Sequence, residues 1–285
     1  FQLMRIHQYI KNVLIILPLF FSKNLLNLKM WKKTMTGGAA FCLAASVIYI
    51  INDLWDVEKD KNHPTKCHRP IASGSILPRT ASFLAFFLAL GSIIGTRLAS
   101  DSYKTWFFLF LYIILNLGYS CLHWKDIPII DIGILMMGFL LRILFGASLT
   151  GIEVSHWLYL TMMSASFWMG LGKRRNECQK NADSSRKVLQ FYTFDFLDKN
   201  MNTCLALTIV FYSLWSVDSS VKAWAGTDGL MWTVPVVILL CMRYHLDLEK
   251  NLADGDPVEV IFKDKWLLLT ATGLALYIGI KMYCV

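Results

Sequence analysis

A chain of 285 residues that is 55% hydrophobic and only 17% charged, with a mean hydropathy of +0.47, is too apolar for a water-soluble domain, which carries about a quarter charged residues. Its long apolar runs exclude a membrane β-barrel, whose strands are short and alternating, and its 10 Trp and 18 Phe suit lipid interfaces and bundle interiors. A net charge of +8 would suggest nucleic acid on a soluble protein, but in a membrane chain the distribution of charge decides, and no nucleic-acid partner is expected.

A spanning helix needs about 20 mostly apolar residues. In chain order the candidates are 12–28, 34–52, 79–98, 104–122, 128–149, 155–172, 201–218, 229–247 and 265–283. The opening "FQLMRIHQYIKN" is mixed and polar and does not read as a cleavable signal peptide. The first span is the weakest, because Pro18 interrupts it. The N-terminus and the loops 53–78, 123–127, 173–200 and 243–265 fall on one side and, with Arg79 at the mouth of the third span, hold 19 of the 28 Lys and Arg; the other side holds 8, and Arg142 lies inside the fifth span. Loops rich in Lys and Arg stay inside, so the polar loops are expected on the cytoplasmic face of the cell membrane. Residues 1–285 read as a single transmembrane domain, with no linker long enough to divide them. The seven cysteines make no CxxC pair and no zinc spacing, and read as small hydrophobes.

Between the second and third spans lies "YIINDLWDVEKDKNHPTKCHRPIASG", residues 49–74. Asn52, Asp56 and Asp60 are spaced i, i+4, i+8. If the helix continues to His63-Pro64 they stack on one face, with Tyr49 a turn earlier and Asp53 about 100° round from Asn52. Carboxylates this close repel, and a hard cation between them relieves the repulsion. Mg²⁺ fits, and it sits on one or two carboxylates and on substrate phosphates. The predicted metal set is therefore Asn52, Asp56 and Asp60, with Asp53 beside them. Beyond Pro64, Lys66 and Arg69, with His63 and His68, suit phosphate oxygens turned away from the metal. A solvated charged loop capping a helix is the plain alternative; the spacing and the helix-ending His-Pro step favour the metal and phosphate.

The same stretch resembles the first aspartate-rich motif of the UbiA superfamily of intramembrane prenyltransferases, NDxxDxxxD followed by RPxxSG. The resemblance covers nearly the whole chain. It implies an all-α polytopic membrane protein, a UbiA-like bundle of about nine transmembrane helices that uses Mg²⁺ to bind a diphosphate. Most members carry a second acidic motif, DxxxD. Here the inner loop reads "YSCLHWKDIPIID" (119–131), where Asp126 and Asp131 are five apart and Lys125 stands instead, and the next opens "LGKRRNE" (171–177). One acidic cluster among many cations suits a ligand with more phosphate than the metal neutralises, without singling one out. The segments "MRIHQYIKN" (4–12), "DIGILMMGFLLRILFGA" (131–147), "GKRRNE" (172–177), "RKVLQFYTFDFLD" (186–198) and "RYHLDLE…GDPVEVIFKDK" (243–265) are together similar to the decaprenyl-phosphate phosphoribosyltransferase branch. That branch implies phosphoribosyl diphosphate as donor and a polyprenyl phosphate as acceptor.

On this reading Asp53, Asp56 and Lys66 are catalytic. Lys11, Tyr49, Lys66, Arg69, Lys125, Arg142, Lys173 and Arg174 bind the phosphates of donor and lipid. A guanidinium inside a span faces a cavity or a partner; for Arg142 a phosphate is favoured over a buried pair with Asp131. Lys11 reads either as a ligand or as a snorkelling lysine, and the resemblance favours the ligand. The spacing from Tyr119 to Lys125 is one residue longer than the family pattern, which leaves the role of Tyr119 open. Glu177 reads as an i, i+4 partner of Lys173, and Arg186, Arg243 and Asp256 as residues ordering inner loops. A lipid phosphate oxygen would attack the anomeric carbon as diphosphate leaves; it is already anionic and needs no strong base. The rivals are a prenyltransferase acting on an aromatic acceptor, which would want a second aspartate pair, and an anionic-lipid transporter. The resemblance further implies a product destined for cell-wall precursors, and a homo-oligomer such as a trimer fits the family.

Overall fold

A computed structural model of the chain describes residues 2–22, 24–62, 66–180, 187–219, 221–222, 229–250 and 257–283. Among the described residues there are helices and turns and no strand. A 3₁₀ segment, Ile6–Ile16, leads into α1 (Leu17–Phe20). Then come α2 (Leu28–Trp55), α3 (Val57–Lys61), α4 (Pro78–Ala99), α5 (Tyr103–Cys121), α6 (Ile130–Thr150), α7 (His156–Lys180) and α8 (Phe194–Val217). A 3₁₀ turn, Gly229–Thr233, opens α9 (Val234–Glu249), and α10 (Pro257–Lys263) and α11 (Lys265–Tyr283) follow.

Six helices among the described residues are long and apolar enough to cross a membrane: α2, α4, α5, α6, Gly229–Glu249 and α11. The expected spans 155–172 and 201–218 lie along α7 and α8, which run on at one end through "KRRNECQK" and "FDFLDKN". The expected span 12–28 is displaced: the helical stretch is Ile6–Phe20, and α2 begins at Leu28. The cause is a cap. Asn27 Oδ1 accepts from the backbone N–H of Lys29 (3.1 Å) and Met30 (3.3 Å), starting a new helix where the apolar run seemed to end one.

Two compact units make up the chain, Phe1–Lys125 with Leu141–Glu153, and Asp126–Leu140 with Val154–Val285. In the first, α4 turns its small residues Ala81, Ala85, Ser92, Thr96 and Ala99 inward and its Phe83, Phe86, Phe87, Leu90, Ile94 and Leu98 outward. Small residues let helices approach closely without a polar cost, and a bilayer covers the apolar outer face. Phe41 packs between Tyr112 and Phe145, with ring centroids 4.5 and 5.0 Å away. Gly146 admits the N-terminal segment, since a Cβ there would stand 2.0 Å from the Ile15 carbonyl oxygen.

In the second unit α7 and α8 pack along their length, and Thr208 Oγ1 donates to Ser164 Oγ across them at 3.1 Å. Trp168 meets Tyr244 edge-on at 4.9 Å within a core that includes Leu171, Leu197, Met201 and Leu248.

Candidate active site

The helical track does not stop at the end of α2. Asp56 N–H donates to Asn52 O at 2.9 Å and Asp60 N–H to Asp56 O at 2.8 Å, so the i, i+4, i+8 stack of Asn52, Asp56 and Asp60 forms as the spacing predicts. His63 and Pro64, expected to end the helix, lie outside the described residues.

The acids of this stack and the neighbouring Asp53 occupy two environments. Asp53 and Asp60 are buried and held by arginines. Arg69 Nη1 donates to Asp53 Oδ1 at 3.2 Å and to Asp60 Oδ2 at 2.7 Å. Arg5 Nη2 donates to Asp53 Oδ1 at 2.5 Å, with its guanidinium 5.1 Å from the centre of the Tyr49 ring. Asp56 is only half-buried; its Oδ2 accepts from Lys125 Nζ at 3.4 Å, and Lys59 Nζ lies 3.9 Å from its Oδ1. Two buried oxygens here, Asn52 Oδ1 and Asp56 Oδ1, accept no hydrogen bond.

Those two oxygens are the test of a metal site. Among the described residues no cluster of three or more His, Cys, Asp or Glu could hold an ion. One carboxylate and one amide carbonyl a helical turn apart, both unsatisfied, suit an ion that takes few protein ligands and fills its shell with water and phosphate, as Mg²⁺ does. Asn52 and Asp56 fit that role. Asp60, the third member of the predicted set, has its Oδ2 on Arg69.

Lys125 reaches Asp56 because the chain folds back after α5. The Trp124 ring lies on Gly118, where a Cβ would come within 2.5 Å of the ring. Lys66 opens the 3₁₀ turn Lys66–His68, half-buried, and its carbonyl accepts from Arg69 N–H at 3.0 Å. Lys11 and Tyr119 are also half-buried, on the Ile6–Ile16 segment and near the end of α5.

Arg142 is buried in α6, where its Nε donates to Asn12 Oδ1 at 2.7 Å and its Nη2 to Tyr112 Oη at 3.0 Å. Its guanidinium lies 5.0 and 5.6 Å from the ring centres of Tyr112 and Phe41, within cation–π range of both. Asp131, weighed as its partner, pairs with Arg174 instead.

Arg174 is fully buried; its Nε donates to Asp131 Oδ2 and its Nη1 to Glu177 Oε2, each at 2.5 Å. Tyr192 Oη donates to the other Asp131 oxygen at 2.5 Å. Burial, and then the bond to Asp131, push the Tyr192 phenol above its ordinary pKa. Lys173, half-buried, precedes Arg174 on α7. Arg243 bonds Asp264, and this bond, ahead of the other influences, holds the Asp264 carboxyl down at about 2. Arg243 thus ties α9 to the start of α11, the ordering role expected of it; Arg186 and Asp256 lie outside the described residues. Sequence reasoning missed Arg5, Asn12, Tyr112 and Tyr192 as polar partners. Arg5, Asn12 and Tyr192 sit within the family-like segments, but nothing in their spacing separates a partner from a core or surface residue.

Residues 19–253 match the UbiA prenyltransferase family. The chain belongs to that family. This UbiA-family chain is therefore an integral membrane transferase. It is similar to the decaprenyl-phosphate phosphoribosyltransferase of Corynebacterium glutamicum, 34% identical over 289 aligned residues that cover 98% of this chain and 85% of that protein. It is also similar to the enzyme of the same name from Mycolicibacterium smegmatis, at 31% identity, 88% of this chain and 80% of that protein. Among solved structures, a UbiA homolog from Archaeoglobus fulgidus bound to GPP and Mg²⁺ matches with a TM-score of 0.70 over 100% of this chain and 99% of that one; at 17% identity the likeness shows the fold alone.

Proposed function

We propose that this UbiA-family chain is a polyprenyl-phosphate phosphoribosyltransferase of the cell membrane, with its acidic stack on the cytoplasmic side. It moves the 5-phosphoribosyl group from phosphoribosyl diphosphate to a polyprenyl phosphate such as decaprenyl phosphate. The bond from the anomeric carbon to diphosphate breaks, and a bond from that carbon to a lipid phosphate oxygen forms. The observation that carries the reading is the Asn52–Asp56 pair of unsatisfied oxygens set among Lys125, Arg69 and Arg5. A single small metal-binding edge within a cationic surround suits a donor that brings both a diphosphate and a further phosphate. The relatives of that name, similar over most of the chain, support it.

In this reading Asn52 and Asp56 hold Mg²⁺. When bound, the ion supplies neutralisation of charge on the departing diphosphate. Lys125, beside Asp56, orients the diphosphate. Lys66 and Lys11 take the remaining phosphate charge and reduce repulsion between two anionic substrates. Asp53 and Asp60 hold Arg69 and Arg5 in place, with Tyr49 under the Arg5 guanidinium. Arg174 is committed to Asp131 and Glu177, so the phosphate role proposed on α7 rests with Lys173. No strong base is required, because a phosphate monoester is already anionic near neutral pH.

The test is substrate choice. Purified protein in detergent with Mg²⁺, polyprenyl phosphate and phosphoribosyl diphosphate should release diphosphate and form a phosphoribosyl lipid seen by mass. Chelation should stop both. Turnover of a prenyl diphosphate with an aromatic acceptor in place of that product would refute the assignment.

A further inference from the structure

The turn between α5 and α6 carries Lys125, and its backbone is unusual at both ends. His123 has φ 59° and Ile129 has φ 70°, the left-handed region. Histidine tolerates this region, but for a β-branched residue it is an outlier. Such a conformation persists where the surroundings over-determine it. Ile129 is itself exposed, so side-chain packing does not hold it. Its backbone N–H donates to Tyr192 Oη at 2.6 Å, and the same hydroxyl donates to Asp131 Oδ1. Asp131 is fully buried and fixed from its other oxygen by Arg174. Ile129 O accepts from Gly133 N–H at 2.9 Å, which starts α6. At the near end Trp124 seats on Gly118. The turn is thus pinned on both sides of Lys125, and only three residues of chain lie between Lys125 and Ile129.

We infer that Tyr192 is a positioning residue for the transfer reaction, fixing the Lys125 turn through the Ile129 N–H and the Asp131 carboxylate. The inference rests on the proposed function. Tyr192 bonds none of the residues assigned to metal or phosphate. Its ring is nine-tenths buried and stacks on Phe196 at 6.0 Å and 12°, so its hydroxyl is delivered from a fixed place. The raised pKa keeps the phenol a donor across the physiological range.

Tyr192→Phe keeps the ring and its stack and removes only the hydroxyl. Two readouts decide. Hydrogen exchange at the Ile129 amide, followed on a peptide spanning 122–130, should speed up about tenfold or more as the latch opens. The kcat/KM for phosphoribosyl diphosphate should fall about tenfold in the wild-type background, as expected when a ligand is misplaced by a fraction of an ångström. It should change by less than about twofold in a Lys125→Met background, because Tyr192 acts through Lys125. Thr208→Ala, which breaks the Thr208–Ser164 bond in the same unit, should lower thermal stability and leave both readouts unchanged.

Unaltered exchange at Ile129, or Tyr192→Phe and Lys125→Met effects that multiply, would overturn the inference. So would a Thr208→Ala enzyme that shows the same kinetic loss. If the wild-type protein does not turn over phosphoribosyl diphosphate, the functional reading falls, while the exchange measurement still decides whether Tyr192 orders the turn.

Discussion

Replacing Asp56 with Asn separates chemistry from folding at this site. The change keeps shape and removes one charge. The ion pair it breaks, Asp56 Oδ2 to Lys125 Nζ at 3.4 Å, is worth about 5 kcal/mol of Coulomb energy at an effective dielectric constant near 20. Both side chains are partly open to solvent, 19% and 26% exposed, so desolvation and screening leave a net contribution of about 1 kcal/mol or less. The midpoint of thermal unfolding in detergent should therefore move by only a few degrees. Activity should behave differently, because the substitution weakens the proposed metal edge and unsettles Lys125. A loss of roughly 10²–10³ in kcat is expected, the scale seen when one preorganised electrostatic group is removed.

Asp60→Asn is the mirror experiment. Asp60 is itself buried, against an Arg69 that is partly open to solvent, and losing its charge takes a partner from that guanidinium, so its unfolding midpoint should drop more than that of Asp56→Asn. The assay pairs diphosphate release with thermal unfolding of each variant. An Asp56→Asn enzyme within about threefold of wild type in kcat, well short of the loss expected for a preorganised group, would refute the metal assignment.

Four other outcomes follow from particular contacts. Gly118→Ala puts a Cβ 2.5 Å from the Trp124 ring, so it should displace the Lys125 turn and lower kcat/KM about tenfold, measured by the same release assay. Gly146→Ala meets the Ile15 backbone oxygen at 2.0 Å, which cannot swing aside; it should destabilise by roughly 1–3 kcal/mol, read as a lowered unfolding midpoint. Arg142→Lys keeps the charge but cannot span Asn12 and Tyr112 as a guanidinium does; it should lower the midpoint, and an unchanged midpoint would show that the fork is idle. Asp264 has its pKa depressed to about 2 by Arg243, so its stabilisation is full above the ordinary carboxyl pKa and is lost as pH falls from about 4 towards 2. Wild type should therefore lose more stability than Asp264→Asn over that interval in pH-dependent unfolding.

Much of the fold was legible because the signals are local. Apolar length marked the spans, and helical periodicity put Asn52, Asp56 and Asp60 on one face although the regular helix breaks at Asp56. The first span was misread because one side chain, Asn27, starts a new helix inside an apolar run. The division of labour among the acids was not legible at all. Arg5 lies 48 residues from Asp53 in the chain, and only folding brings them together. Counting cations near a motif likewise could not separate Lys125, which faces Asp56, from Arg174, which is sealed between Asp131 and Glu177.

The burial of charge gives a way to choose among these residues. An apolar chain cannot leave a buried carboxylate without compensation. Asp53, Asp60 and Asp131 each rest on a guanidinium. Asp247 is the hard case for any argument from unsatisfied oxygens, since neither of its oxygens accepts a hydrogen bond. It is 1% exposed, and the Arg243 that lies 3.9 Å away is itself bonded to Asp264, so little of it can be reached. Asp56 differs in two ways that matter for a reaction. Its side chain is 19% exposed although the unsatisfied Oδ1 itself is buried, and a second unsatisfied oxygen, Asn52 Oδ1, stands one turn away on the same face. An acid that is both accessible and incompletely satisfied is poised for an incoming cation and phosphate, whereas an acid that is merely unsatisfied marks a stability cost. On that ground the chemistry is assigned to Asp56, and the arginine-bound acids around it are assigned to holding its neighbours still.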